Sequence, residues 1–147
     1  MADNTIFLDP SVAIISRFDT EYPLAGGLLP RIIDNDDGQT EDLSDGFINL
    51  SIRWISSAFN TINGANPQTR RQGQLNIEIL TKINEGPGEG LSEAGIVAEI
   101  FRGQSFSDML FFDPSIETIR RVERPVGQMF ETPLICPFQH DKHVTIL

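Results

Sequence analysis

Phe47-Ile48-Asn49-Leu50-Ser51-Ile52-Arg53-Trp54-Ile55 is the stretch that decides the fold. Ile48, Leu50, Ile52 and Trp54 fall on every second residue, with Asn49, Ser51 and Arg53 between them. Successive side chains of extended backbone point to opposite sides, so a period of two marks a strand with one buried face. Phe47 and Ile55 sit on the otherwise polar alternation, and that face is expected to be partly covered. A second alternating run, Leu75, Ile77 and Ile79 against Gln74, Asn76 and Glu78, lies in an expected strand from Thr69 to about Ile83. Asn63-Gly64-Ala65-Asn66-Pro67 concentrates turn formers between the two runs. The pair therefore reads as an antiparallel hairpin with a long tip at 60–69.

On the N-terminal side, residues 34–45 read DNDDGQTEDLSD, with six acids and no base. Mutual repulsion and turn-forming residues make this a solvated loop. Before it, Leu28 to Ile33 is a short extended segment that Pro30 limits to an edge or a strand start. Asp9-Pro10 is a helix start, and Val12, Ile15 and Phe18, with Ile14 beside them, give an apolar stripe at helical spacing. That helix is expected to stop before Pro23, with Gly26-Gly27 as the break.

On the C-terminal side, Gly86-Pro87-Gly88-Glu89-Gly90 leads into a second helix whose apolar face is Leu91, Ala94, Val97, Ala98, Ile100 and Phe101. Gly103 is placed to end it, and Gly95 inside it suggests close packing against the sheet. Met109 to Phe112, a strand around Ile116 to Glu123, and a turn at Pro125-Val126-Gly127 come next. The last strand spans Met129 to Phe138, with Phe130, Leu134, Cys136 and Phe138 on one face. Pro133 and Pro137 on the other alternation suit an edge strand. The expected fold class is α+β, a mostly antiparallel sheet of about four to five strands with two helices packed on one face. Residues 1–147 read as one domain, with 140–147 as a free tail.

The chain has 147 residues, 39% of them hydrophobic and 22% charged, which is ordinary globular composition. No apolar run approaches the ~18–20 residues that span a bilayer, so no membrane partner is expected. Met1-Ala2-Asp3-Asn4 lacks the basic start of a signal peptide, and synthesis in a cytoplasm is expected. Cys136, the single cysteine, lies between Leu134-Ile135 and Pro137-Phe138 and reads as a core thiol. A balance of 21 acids against 11 bases, a formal −10, opposes a role in gripping nucleic acid, which needs clustered Lys and Arg. It does not oppose DNA passing close by, since an acidic wall repels a duplex and keeps it from sticking.

No residue pattern supports catalysis. Gly86-Pro87-Gly88-Glu89-Gly90 carries two glutamates and a proline where a phosphate loop needs N–H donors and a lysine. No G-x-S-x-G motif is present. His140-Asp141-Lys142-His143 has metal-binding residue types but no companion ligands such as a CxxC. Asp34-Asn35-Asp36-Asp37-Gly38 departs from a calcium loop because the glycine comes one residue early. No enzyme, cofactor or metal is expected. Arg70, Arg71, Arg120, Arg121 and Arg124 are either a solvated sheet face or an interface, because arginine pairs bidentately with carboxylates at protein contacts. An acidic loop (Asp34, Asp36, Asp37, Glu41, Asp42 and Asp45) together with a separate arginine group makes head-to-tail association of copies physically reasonable.

The order Arg71-Gln72-Gly73-Gln74-Leu75-Asn76-Ile77-Glu78-Ile79, the 86–90 link, the helix Leu91–Arg102 with Gly103, a strand ending Arg120-Arg121-Val122 and a last strand over 129–138 resembles the tail terminator family of long, non-contractile-tailed bacteriophages. The initial helix, Pro10 to Phe18, matches as well, and the likeness covers roughly residues 9–140. The long acidic insertion at 34–45 and the hairpin tip at 60–69 depart from the family pattern. The resemblance implies a virion protein at the head–tail junction, a homo-oligomer closing a hexameric ring that ends tail-tube polymerisation. Its partners would be the tail tube protein and a neck or head-completion protein, and DNA would pass through the ring without specific binding. It would make the 34–45 loop and the 60–69 tip contact neighbours or the channel. A head–tail connector of the same class, and a small-ligand or regulatory α+β module of another, are the competing readings.

Overall fold

The computed structural model describes residues 8–33, 45–59, 68–124 and 127–143. In chain order these form helix α1 (Leu8–Leu24), strands β1 (Arg31–Ile33), β2 (Phe47–Phe59) and β3 (Gln68–Lys82), a 3-10 turn at Ile83–Glu85, and helix α2 (Gly88–Phe101). Five further strands follow: β4 (Ser105–Phe106), β5 (Met109–Phe111), β6 (Ser115–Ile116), β7 (Arg120–Arg124) and β8 (Gly127–His143).

The backbone of the fold is a ladder of three long antiparallel strands, β2, β3 and β8, of 13, 15 and 17 residues. The alternation around Leu50 and Ile77 specifies this ladder: Ile48↔Ile79, Leu50↔Ile77, Ile77↔Leu134 and Leu75↔Cys136 are cross-strand pairs that share one face. β1 adds to β2 in parallel over three residues, and β5, β6 and β7 add to the far side of β8 in succession, with β4 beyond β5. The result corrects the expectation of four to five strands under two helices. It is a mixed, curled, eight-stranded sheet resembling half a barrel, with about 50% of the described residues in strands. Strands of this length accumulate the right-handed twist until the sheet curls. β4, β5 and β6, of two or three residues each, are too short to show any alternation in sequence.

β8 is also not the edge strand that Pro133 and Pro137 suggest. It has neighbours on both sides, and the prolines fall where its outer neighbours change. β7 pairs up to Glu131, β6 pairs with Leu134 and Ile135, and β5 starts pairing at Phe138. Their carbonyls accept bonds on that outer side, Pro133 from Glu117 N–H and Pro137 from Phe112 N–H (both 2.9 Å). Within one strand residue N–H and C=O point the same way, so the missing donors fall on the interrupted side and leave the β3 ladder intact.

The main core joins both helices to one face of the sheet. In α1 the buried stripe is Ile14, Phe18 and Tyr22, while Val12 is exposed. The helix continues through Pro23 to Leu24, two residues further than expected. In α2 the face Ala94, Val97, Ala98, Ile100 and Phe101 is buried, and Gly103, at φ +62°, ends the helix as a left-handed residue. The glycine that packs closely is Gly90 rather than Gly95. A Cβ on Gly90 would stand 2.4 Å from Thr132 Oγ1, whereas Gly95 faces open space. Cys136 is a buried thiol. On the opposite face Phe47, Leu80 and Met129 form a second small cluster with Ile32 and Val122, while Ile55 is the exposed extra residue of a β-bulge between Trp54 and Ser56.

The segment from His140 is not free: β8 extends to His143, and His140 is 4% exposed. Residues 144–147, and the hairpin tip at 60–67, lie outside the described residues.

Candidate functional site: charged rows on the sheet

Adjacent residues of a strand go to opposite faces, and this divides the candidate arginines. Arg70 faces Asp141 across the β3–β8 ladder and grips it bidentately, Nε to Oδ1 at 2.8 Å and Nη2 to Oδ2 at 2.9 Å. That pairing raises the Arg70 pKa further. Arg71, its neighbour, points to the helix-covered face, where it is 4% exposed and approaches Nδ1 of His140 at 3.4 Å. Trp54 meets the His140 ring edge-on, 6.5 Å between centroids.

The other three arginines stand on β7, at the opposite end of β8. Arg120 donates from Nε (3.1 Å) and Nη2 (2.9 Å) to Oε1 of Glu131. Arg124 Nη2 reaches both Oε2 of Glu131 (2.9 Å) and Oε2 of Glu78 (3.2 Å). Arg121, on the alternate face, lies over the Phe130 ring at 5.6 Å. The two arginine groups are about ten residues apart along β8, roughly 30 Å. They are therefore two separate sites. Of the acidic candidates, Asp45 is exposed and pairs with Lys82 at 2.8 Å. Asp34, Asp36, Asp37, Glu41 and Asp42 lie outside the described residues.

Glu131 is the centre of the stronger group. Its side chain is 2% exposed, yet it accepts three bonds from two guanidinium groups that reach solvent. It borders a groove of about 400 Å³ on the face away from the helices, lined by Ser51, Asn76, Glu78, Glu117 and Arg120 among others. Arg120 and Arg124 are matched by Glu131 and Glu78, so that part of the groove presents oriented, already neutralised hydrogen-bonding groups. Glu131→Gln should lower stability by about 2 kcal/mol, because an amide donor would then face a guanidinium inside the cluster. Urea denaturation checks this, and Arg124→Ala in the same background should add less than it costs alone. Additive losses would show that the cluster is not one network.

Glu131, Glu78 and Asp141 are the partners that sequence inspection missed. Glu131 had a usable signal, since Arg120 and Glu131 are mirror positions about the turn that pairs Arg124 with Gly127. Asp141 had none, because its pairing with Arg70 depends on long-range register.

Leu110, Phe112 and Ile116, along the outer strands, are exposed apolar side chains, as are Val12 and Ile55 at the β2 side. Among the described residues, nothing pairs with β2 beyond Leu50 on the β1 side, or with the outer sides of β6 and β7. Among the described residues the sheet thus has open edges on both sides, each with exposed apolar groups beside it.

No family model matches the sequence. No curated protein is similar to it. Among solved structures, one that bears no functional name is similar over 88% of this chain and 94% of the other, with a TM-score of 0.56 and 13% identity. At that identity the likeness concerns the fold alone: the helix-and-curled-sheet arrangement recurs in a chain of comparable extent.

Proposed function

We propose that this chain is a structural tail terminator subunit, six copies of which close a ring that ends tail-tube polymerisation and joins the tail to the head. The observation that carries the reading is the pair of sheet edges that are open among the described residues, on opposite sides of one subunit, each flanked by exposed apolar residues. Contacts between two different surfaces of identical copies are heterologous, and such contacts close into rings when the rotation allows. The order of sequence segments from α1 to β8 supports the same family, and a formal charge of −10 suits a passage that DNA must cross without binding.

Electron microscopy of the purified protein tests the ring, with six-fold particles around a central hole as the expected image. Addition to isolated tail tubes should then stop their elongation. A persistent monomer would defeat the assembly reading, and binding to DNA-filled heads without binding to tubes would move the assignment to a head–tail connector.

A further inference from the structure

We infer that the subunits join by a knob and a groove: the capped turn at the end of α1, with Leu24 and Leu28, enters the apolar groove beside the start of α1 in the next copy. This rests on the ring reading for its biological setting, while its physical case comes from two surfaces of the subunit.

The helix cap builds the knob. Gly26, at φ +94°, is left-handed, and its N–H bonds the Pro23 carbonyl at 3.1 Å while the Gly27 N–H bonds the Tyr22 carbonyl at 2.9 Å. These two bonds form the Schellman pattern, which commonly carries an apolar side chain at the second position and turns it back onto the helix. Here that position is Gly27, which lies against the Tyr22 ring, and the next apolar residue, Leu28, stays outside. Beyond it, the Tyr22 hydroxyl accepts from the Leu29 N–H at 3.1 Å, and Arg31 grips Asp19 at 2.7 and 2.8 Å. The turn is thus tied down on both sides of Leu28. Leu24 and Leu28 are nonetheless 79% and 86% exposed, the highest values of any large apolar side chain among the described residues. A rigid turn loses little further freedom on docking, which favours a contact at this point.

The groove lies toward the other end of the same helix. Ile14 and Ile15 of α1, Ile52 and Trp54 of β2 and Leu75 of β3 wall a space of about 270 Å³ that no charged residue lines. Val12, exposed beside Ile15 on the helix surface, extends its apolar rim. Ser11, at the groove, and Leu24, on the knob, stand about 20 Å apart along the helix axis. A concave apolar wall accepts a convex apolar turn, and removal of the two leucines from water drives the contact.

Charge selects this pairing over others. Copies of a chain with a formal −10 repel one another, so approach is least opposed where both surfaces are neutral. Residues 22–30 contain no charge, and the α1 wall of the groove comes from another uncharged run, 10–16. The exposed Leu110, Phe112 and Ile116 are instead interspersed with exposed Asp108, Asp113 and Glu117, so that surface carries the charge that opposes association. Two Leu24–Leu28 turns set against each other would join convex surfaces at their tips and bury little of either. Knob and groove are different surfaces at different ends of the subunit, so the contact is head-to-tail, as a closed ring requires.

The test uses the full chain. Native mass spectrometry across a concentration series should show Leu24→Ser/Leu28→Ser associating at least about tenfold more weakly than the parent, because two leucines lose their burial. Its urea midpoint should match the parent's, since both side chains are exposed in the single subunit. A mixture of Leu28→Cys and Val12→Cys proteins treated with a short bismaleimide should cross-link one variant to the other, with buried Cys136 unmodified. Cross-linking of Leu28→Cys to itself, with none between the two variants, would overturn the knob-and-groove contact in favour of a turn-to-turn dimer. A cross-linked mixture in an oligomer of another order would support the contact and defeat the six-fold reading. A six-fold ring indifferent to the serine pair, with no cross-link, would overturn the contact and leave the ring standing. A monomer at every concentration would overturn both.

Discussion

Phe138→Ala is expected to lower the unfolding free energy by about 3–5 kcal/mol, among the largest losses available in this core. The ring is 1% exposed and stands where β8 crosses the middle of the ladder, with Trp54 edge-on at 5.3 Å and Phe111 tilted at 5.1 Å between centroids. Its cross-strand partner is Gly73, and the ring lies over that glycine. A Cβ on Gly73 would stand 2.5 Å from Phe138 Cζ and 2.9 Å from Cε1. The ring cannot swing aside, because Trp54 and Phe111 confine it. Gly73→Ala should therefore cost about 1–3 kcal/mol through overpacking. In a Phe138→Ala background the same glycine replacement should cost little or become favourable, since the added methyl enters space the ring has left. Chemical denaturation of the four proteins gives the coupling directly. Additive losses would mean that the glycine is required for its backbone freedom and not as a seat for the ring.

The Gly73–Phe138 pair shows what the sequence made legible and what it did not. Alternation placed Leu75, Ile77, Leu134, Cys136 and Phe138 on buried faces, and these positions are buried. Alternation reports which side of a strand is covered, but not which strands are neighbours, so nothing in the sequence set Gly73 under Phe138. The same gap explains the sheet. β4 and β6 contain two residues each; β6 exists because β8 offers it a free side, and β4 because β5 does. A local pattern cannot announce an element whose cause is a distant strand. Gly90 was overlooked for a related reason: its value comes from Thr132, forty-two residues on, while Gly95 drew attention only because it lies mid-helix. The sequence presents the arginines as a solvated face or an interface between copies, whereas Arg70, Arg120 and Arg124 pair with acids of the same chain, and Arg70 and Arg71 part company by a single residue of pleat, one to Asp141 and one to His140. Their partners followed from register, and register follows from the whole ladder.

Tyr22→Phe should cost about 2–3 kcal/mol although it removes one oxygen and keeps the ring. The Tyr22 hydroxyl donates to Glu93 Oε2 at 2.5 Å and accepts from the Leu29 N–H at 3.1 Å. One atom thus ties α1 to α2 and to the segment that leads into β1. The ring is held independently, stacked on Phe18 at 4.7 Å and covered by Gly27, whose Cβ would lie 2.2 Å from it. Loss of the hydroxyl therefore leaves the packing in place and strands the buried Glu93 carboxylate and the half-buried Leu29 N–H. Tyr22→Phe combined with Glu93→Leu should recover much of the loss, because no buried acid then lacks its donor. Alkaline unfolding gives a second readout. Burial, and next the bond to Glu93, hold the Tyr22 hydroxyl well above its ordinary pKa of 10.0. The unfolded chain ionises first, so the stability tied to this proton is complete below about pH 10 and declines as the pH rises past it. Tyr22→Phe should remove that decline while lowering stability at neutral pH. A shallower slope should persist from about pH 9, because burial also pushes the Cys136 thiol up to about 12. An unchanged alkaline profile in Tyr22→Phe would show that the phenol does not carry the link between the two helices.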